Sequence, residues 1–194
     1  VIILTAIFTS IFGGVNTLWD RRYGFMNKAL TSPISRSAIA VGKMSAISLI
    51  AALQASLIIG IALAIGVTFP NPLMIIPIMG IVILFSLGFS GISVTLAATA
   101  KSQETFWGMI NLLGMPLFML SPALFPLELL PDWLAVIAKL NPVTYTILLV
   151  RELMTGVSEG GVPILLSVGV IFAFVIAMVA IASYVFTREV NKPF

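Results

Sequence analysis

The chain has 194 residues, 60% of them hydrophobic and 9% charged, with a mean hydropathy of +1.17. A soluble domain is about one-quarter charged, so this composition describes an all-α, polytopic membrane protein. Cysteine and histidine are both absent, excluding disulfides, thiolate or imidazole metal sites, His-based triads and His proton relays; the net charge of +3 comes from cations clustered between apolar runs, which topology explains without nucleic acid.

Residues 1–18 hold no charge and are about long enough to cross a hydrocarbon core, giving a first span. Gly13, Gly14 and Asn16 near its end allow close approach of another helix. The run starts at Val1 without a basic n-region or a small-residue cleavage site, so it reads as a fragment lacking an upstream portion and not as a signal peptide.

Residues 19–43 carry Arg21, Arg22, Lys28, Arg36 and Lys43 against the single acid Asp20. Such a stretch between apolar runs reads as a cytoplasmic loop. Trp19, Tyr23, Met26 and Leu30 recur at helical spacing, predicting a short amphipathic helix over Asp20–Thr31. Thr31, Ser32 and Pro33 should end it, and Ser35 can cap the next helix. A folded basic element of this kind either lies among lipid headgroups or docks a soluble partner.

From Met44 to Ala100 there is no charged residue, enough for two spans, 44–68 and 73–100, joined at Phe69-Pro70-Asn71-Pro72. Lys43 and Lys101 then lie on one side of the membrane. Ala52, Ser56, Gly60 and Ala64 form a small-residue stripe that suits close helix packing. Gln54 is read as an interhelical hydrogen-bonding group, with substrate contact as the other use. The hydroxyls of Ser86, Ser90, Ser93 and Thr95 can bond back to helix carbonyls.

The next span is predicted at 105–120, with Asn111 in its interior and a kink at Pro116. Residues 121–160 contain no uninterrupted apolar run long enough to span. Pro131 suits a helix start, an apolar face runs from Trp133 to Leu140, and Asn141-Pro142 stops it. Thr144–Thr155 forms a second short helix closed by Gly156, and the two suggest a re-entrant pair on the outer side. Residues 161–187 form a final span, with Gly169, Ala173 and Ala177 as another small stripe, and 188–194 form a tail. Five alternating spans in a single transmembrane domain put Arg21, Arg22, Lys28, Arg36, Lys43, Lys101, Arg188 and Lys192 inside, and Lys139 and Arg151 outside.

Gly42-Lys43 is not a P-loop, because Met44 replaces the required Ser or Thr and Ser37 stands where the first glycine belongs. Glu128 and Asp132 share a helical spacing but read as a solvated acidic surface, so no catalytic residues and no enzyme activity are expected. The predicted spans contain no ionisable residue, whereas ion-coupled carriers ordinarily keep one. Energy for transport must then arrive from outside the chain, which favours docking over lipid binding for the basic loop.

The segment DRRYGFMNKALTSPISR with Gly42-Lys43 resembles the cytoplasmic loop of type-2 ABC exporter permeases, especially those of the daunorubicin-resistance type. Ser121-Pro122, Leu130-Pro131, Asn141-Pro142-Val143-Thr144-Tyr145 and Arg151 resemble the same family's signature before its last span. The resemblance implies a six-span permease working with a second permease copy and two cytoplasmic ATPase subunits, which would hold the ATP and Mg. It also implies that the family's first span is absent from these residues.

Carried over by position, Asp20, Gly24, Leu30, Pro33, Arg36 and Gly42 match the loop pattern, while many relatives have Glu at the Asp20 position and an acid at that of Asn27. Asp20, Arg21, Arg22, Tyr23, Gly24, Met26, Leu30, Pro33 and Arg36 are the expected ATPase-coupling residues. Pro122, Phe125, Pro131, Asn141, Pro142, Tyr145 and Arg151 are the expected extracellular gate. Asn16, Asn111 and Pro116 are expected to line the path of a hydrophobic or amphiphilic substrate out of a prokaryotic plasma membrane. The competing reading is a non-transporting membrane scaffold whose basic loop binds anionic lipid.

Overall fold

The computed structural model of the protein describes residues 1–25, 33–67, 71–123, 131–157 and 161–189, and every regular element among them is helical. Helices α1 (Ile2–Gly13) and α2 (Val15–Arg22) are joined by Gly14 at φ −63° and ψ −22°. Because that geometry is helical, Ile2–Arg22 makes one 21-residue membrane span. The span expected at 1–18 therefore carries Asp20, Arg21 and Arg22 on its last turn.

The single helix expected over Asp20–Thr31 is interrupted. Helix α2 ends at Arg22, the Tyr23 amide returns to the Trp19 carbonyl at 2.9 Å, and Gly24 turns to φ +74°. Glycine adopts that left-handed conformation without the strain a side chain brings, so the helix stops there. Met26, Leu30 and Thr31 lie outside the described residues.

Helix α3 (Arg36–Ala64) opens on Ser35, whose hydroxyl accepts the Ala38 amide at 3.3 Å as expected. Its 29 residues extend about 43 Å against a hydrocarbon core of about 30 Å. The surplus turns hold Arg36 and Lys43, so the helix expected to start at the Ser35 cap and the span expected at 44–68 are one continuous helix. Asn71 accepts the Leu73 amide at 3.0 Å and starts a short 3-10 turn, Pro72–Met74, which leads into α4 (Ile75–Thr99).

Helix α4 is the axis of the fold: α1, α2, α3, α5, α7 and α8 all pack on it. Ile7, Ile78, Val82, Phe85, Phe89 and Phe106 are fully buried around it. Of its four predicted hydroxyls, three bond back, Ser90 to the Leu87 carbonyl at 2.9 Å, Ser93 to that of Ser90 at 3.0 Å and Thr95 to that of Gly91 at 2.7 Å, while Ser86 has no partner among the described residues. Ser93 also crosses to the Ser10 carbonyl at 2.7 Å.

Helix α5 (Gln103–Met119) runs three residues past Pro116 and then stops. At 17 residues it is at the low end of what a span requires, while Ile2–Arg22, α3, Pro72–Thr99 and α8 (Ile164–Glu189) all have the length and apolarity to cross. Helices α6 (Asp132–Leu140) and α7 (Pro142–Thr155) meet at 82° about Asn141, and Gly156 closes α7 at φ +74°. That pair matches the expected two short helices and both of their stop signals.

The small-residue stripes are placed differently from expectation. Ser56 and Gly60 on α3, and Gly169, Ala173 and Ala177 on α8, are exposed on the outer faces. Ser48, Ala51, Ala52 and Ala55 are buried on α3, and Ala51 and Ala55 join the same core cluster as Phe85 and Phe89 of α4. Close packing occurs instead at Gly14, where a Cβ would meet the Ser93 backbone, and at Gly13, Gly88, Gly91 and Gly114, where it would meet a neighbouring side chain within about 3 Å. Gln54 receives the Thr9 hydroxyl, so its interhelical role holds.

Candidate functional site at the basic end of the bundle

Arg21, Arg22, Arg36, Lys43, Lys101 and Arg188 gather at one end of the bundle, because α2, α4 and α8 end there and α3 and α5 begin there. The last four carbonyls of any helix lack intrahelical donors, and in α4 those of Ala97 and Ala98 belong to buried residues. Arg21 supplies what is missing: its guanidinium donates to the Ala97 carbonyl at 3.0 Å and also to that of Ala98. A cation at a helix C-terminus also complements the helix dipole. Glu189, at the end of α8, lies close enough to act on Arg21 electrostatically.

Asp20 takes a different direction and forms an ion pair with Lys43 on α3. The final turn of α2 is thus tied to α3 by Asp20 and to α4 by Arg21, immediately before the helix ends at its Tyr23 cap. Trp19 and Tyr23 stack edge to face with ring centroids 5.7 Å apart and remain exposed, as does Arg22. Pro33 is exposed two residues before the Ser35 cap, and Arg36 is the first residue of α3.

At the other end, the expected gate residues form a hydrogen-bonded corner. Asn141, nearly buried, donates to the Leu117 carbonyl of α5 at 2.6 Å and accepts the Val143 amide at 3.0 Å. One side chain therefore ends α6, caps α7 and ties both to α5. Tyr145 donates to the Lys139 carbonyl at 2.7 Å, and Arg151 donates to that of Pro122 at 3.0 Å. Pro131 caps α6 and Pro142 is the first residue of α7, while Phe125 lies outside the described residues. A cavity of about 370 Å³, walled by Ile2, Ile58, Ala62, Ile147 and Val150, opens beside Arg151.

The expected path residues are not brought together. Asn16 and Pro116 are exposed on their own helices. Asn111, also exposed, edges a groove between α1 and α5 of only about 30 Å³, closed by the Phe8–Phe118 and Phe12–Trp107 ring contacts. That volume admits little more than a water molecule.

Sequence reasoning gave Lys43 no place in the site and missed the α4 carbonyls altogether. A charge count cannot show that a loop cation belongs to a helix beside Asp20, and backbone acceptors leave no mark on a sequence.

Residues 1–155 match the family of ABC-2 type transporters. This chain belongs to the ABC-2 type transporter family. It is 32% identical over 152 residues to a protein described as a transport permease, ycf38, of Cyanophora paradoxa, covering 76% of this chain and 52% of that protein. The same-named protein of Pyropia yezoensis is 32% identical over 159 residues, 78% of this chain and 54% of the relative. A protein of Escherichia coli (strain K12) described as a multidrug ABC transporter permease, YbhR, is 22% identical over 143 residues, 73% of this chain and 38% of that one. The ABC-2 chain thus spans about half the length of the first two relatives.

Proposed function

We propose that this chain is the transmembrane part of an ATP-driven exporter, in which a separate cytoplasmic ATPase acts on the segment after Tyr23 and a second permease copy completes the path. The observation that carries the reading is the double tie at the root of that segment, Asp20 to Lys43 and Arg21 to the end of α4. A push on the segment cannot be absorbed by a loose loop; it moves α2, α3 and α4 together. The gathering of cations at this end supports a cytoplasmic placement for it and for the end of α8. The corner formed by Asn141, Tyr145, Arg151 and Pro122 would be the outer gate.

The groove between α1 and α5 is too tight for cargo within one protomer. A path would therefore use the exposed face of α5 bearing Asn111, opposite a second copy. The cargo would be an amphiphilic or drug-like compound, in keeping with the multidrug description of the Escherichia coli relative.

The test is export from vesicles containing the permease and its co-expressed ATPase, using a fluorescent amphiphilic dye. Efflux should require ATP and should be lost when Tyr23, Met26 and Leu30 are replaced by Asp. Efflux unchanged by that replacement would overturn the coupling assignment.

A further inference from the structure

A second cavity, of about 300 Å³, lies among the helix ends, walled by Leu18, Trp19, Arg22, Tyr23, Lys101 and Glu104. Its wall comes from three places: the last turn of α2, the second residue after α4 and the first turn of α5. Among the described residues, neither Arg22 nor Lys101 enters an ion pair or donates a hydrogen bond to a side chain. Glu104 is exposed, and Arg22 is near enough to act on it electrostatically. The Ser102 hydroxyl is already engaged with the Thr105 amide at 3.1 Å.

The site therefore offers two cations, one carboxylate, an aromatic pair and an apolar floor at Leu18. It sits where the apolar part of the bundle ends, the depth at which Trp and Tyr rings meet lipid headgroups. A phosphate alone would satisfy the cations and leave Glu104 facing like charge. A group carrying a phosphate and, a few bonds away, a primary ammonium would satisfy all three, with the ammonium also over the aromatic faces. The volume falls within the range of small-molecule sites.

We propose that this cavity holds the headgroup of a phospholipid bearing a primary ammonium, its phosphate between Arg22 and Lys101 and its ammonium on Glu104. The acyl chains leave past the exposed Trp19 ring. The inference needs only a membrane-spanning bundle and is independent of any ATPase, so its failure and that of the transport reading are separable.

Detergent-extracted protein is incubated with phosphatidylethanolamine or phosphatidylglycerol of identical acyl chains, and retained lipid is counted by native mass spectrometry. Phosphatidylethanolamine should be retained preferentially. Arg22→Ala and Lys101→Ala should each lower retention of both lipids about fivefold. Glu104→Gln should lower phosphatidylethanolamine retention while holding or raising that of phosphatidylglycerol, a sign reversal that general loss of structure would not produce. Circular dichroism in the same detergent checks that the variants keep their helices. Wild-type protein that retains phosphatidylglycerol at least as well, or an ethanolamine preference that survives Glu104→Gln, overturns the proposal.

Discussion

Gly14 and Ser93 hold the first span and α4 at backbone contact: a Cβ placed on Gly14 would stand 2.5 Å from the Ser93 carbonyl oxygen. The Ser93 hydroxyl meanwhile donates to the Ser10 carbonyl at 2.7 Å, one turn earlier on α1. Sterics and hydrogen bonding therefore set the same distance between the helices, and Gly14→Ala must part them. It should cost about 1 to 3 kcal/mol, read as a lower melting temperature in detergent. Gly108→Ala, on an open face of α5, should instead hold or slightly raise the melting temperature.

Serine chemistry within α4 separates by partner. Ser86 is buried and its hydroxyl has no partner among the described residues, whereas Ser93 is fully bonded. Ser86→Ala should be neutral or slightly stabilising, and Ser93→Ala should cost about 1 kcal/mol. Paired thermal melts check the order; equal losses would contradict it.

The root of the basic segment can be tested without transport. Arg21→Met strips the buried carbonyls of Ala97 and Ala98 of their donor and should destabilise the bundle by about 1 to 3 kcal/mol. The Asp20–Lys43 pair is partly exposed, so its coupling in a double-mutant cycle should be about 0.5 to 1 kcal/mol and should shrink with added salt. No coupling at low salt would remove one of the two ties.

Asn141 supports α5, α6 and α7 at once. Asn141→Ala removes its bond to Leu117 and the cap on Val143, and should cost about 2 kcal/mol. Hydrogen exchange should quicken across 132–155 while α3 stays protected. Uniform quickening would mean that the corner is no separate unit.

At the start of α5, the Ser102 hydroxyl, assisted by a backbone amide and by Arg22, holds the Glu104 carboxyl below the ordinary 4.5. A depressed carboxylate contributes above its unfolded value, and the contribution is lost as pH falls through the folded one. Ser102→Ala should raise the Glu104 pKa towards 4.5 in an NMR titration. With the folded and unfolded values drawn together, fraying of α5 should then depend less on pH than in the wild type.

Much of the fold was legible in one dimension because its signals are local. Uncharged runs marked the spans, Ser35 marked the start of α3, and Asn141-Pro142 with Gly156 marked the bounds of α7. Misplacements arose where local rules were silent. Helix α3 runs unbroken from its Ser35 cap into the span expected to start at Met44, because helical hydrogen bonding continues across the apolar boundary, carrying Arg36 and Lys43 with it. The stripe from Ala52 to Ala64 has the spacing of an interface yet partly faces outward, since spacing specifies a face and not what lies against it.

The sequence by itself determined the class of molecule and the end at which its charge gathers, since both follow from transferring side chains between water and hydrocarbon, one residue at a time. Only the tertiary structure decided what those charges do. Whether Asp20 finds Lys43, Arg21 finds the bare carbonyls of α4, and Arg22, Lys101 and Glu104 surround one cavity depends on how helices distant in sequence rotate and slide when packed. That rotation is set by close contacts such as Gly14 on Ser93, which no single segment contains.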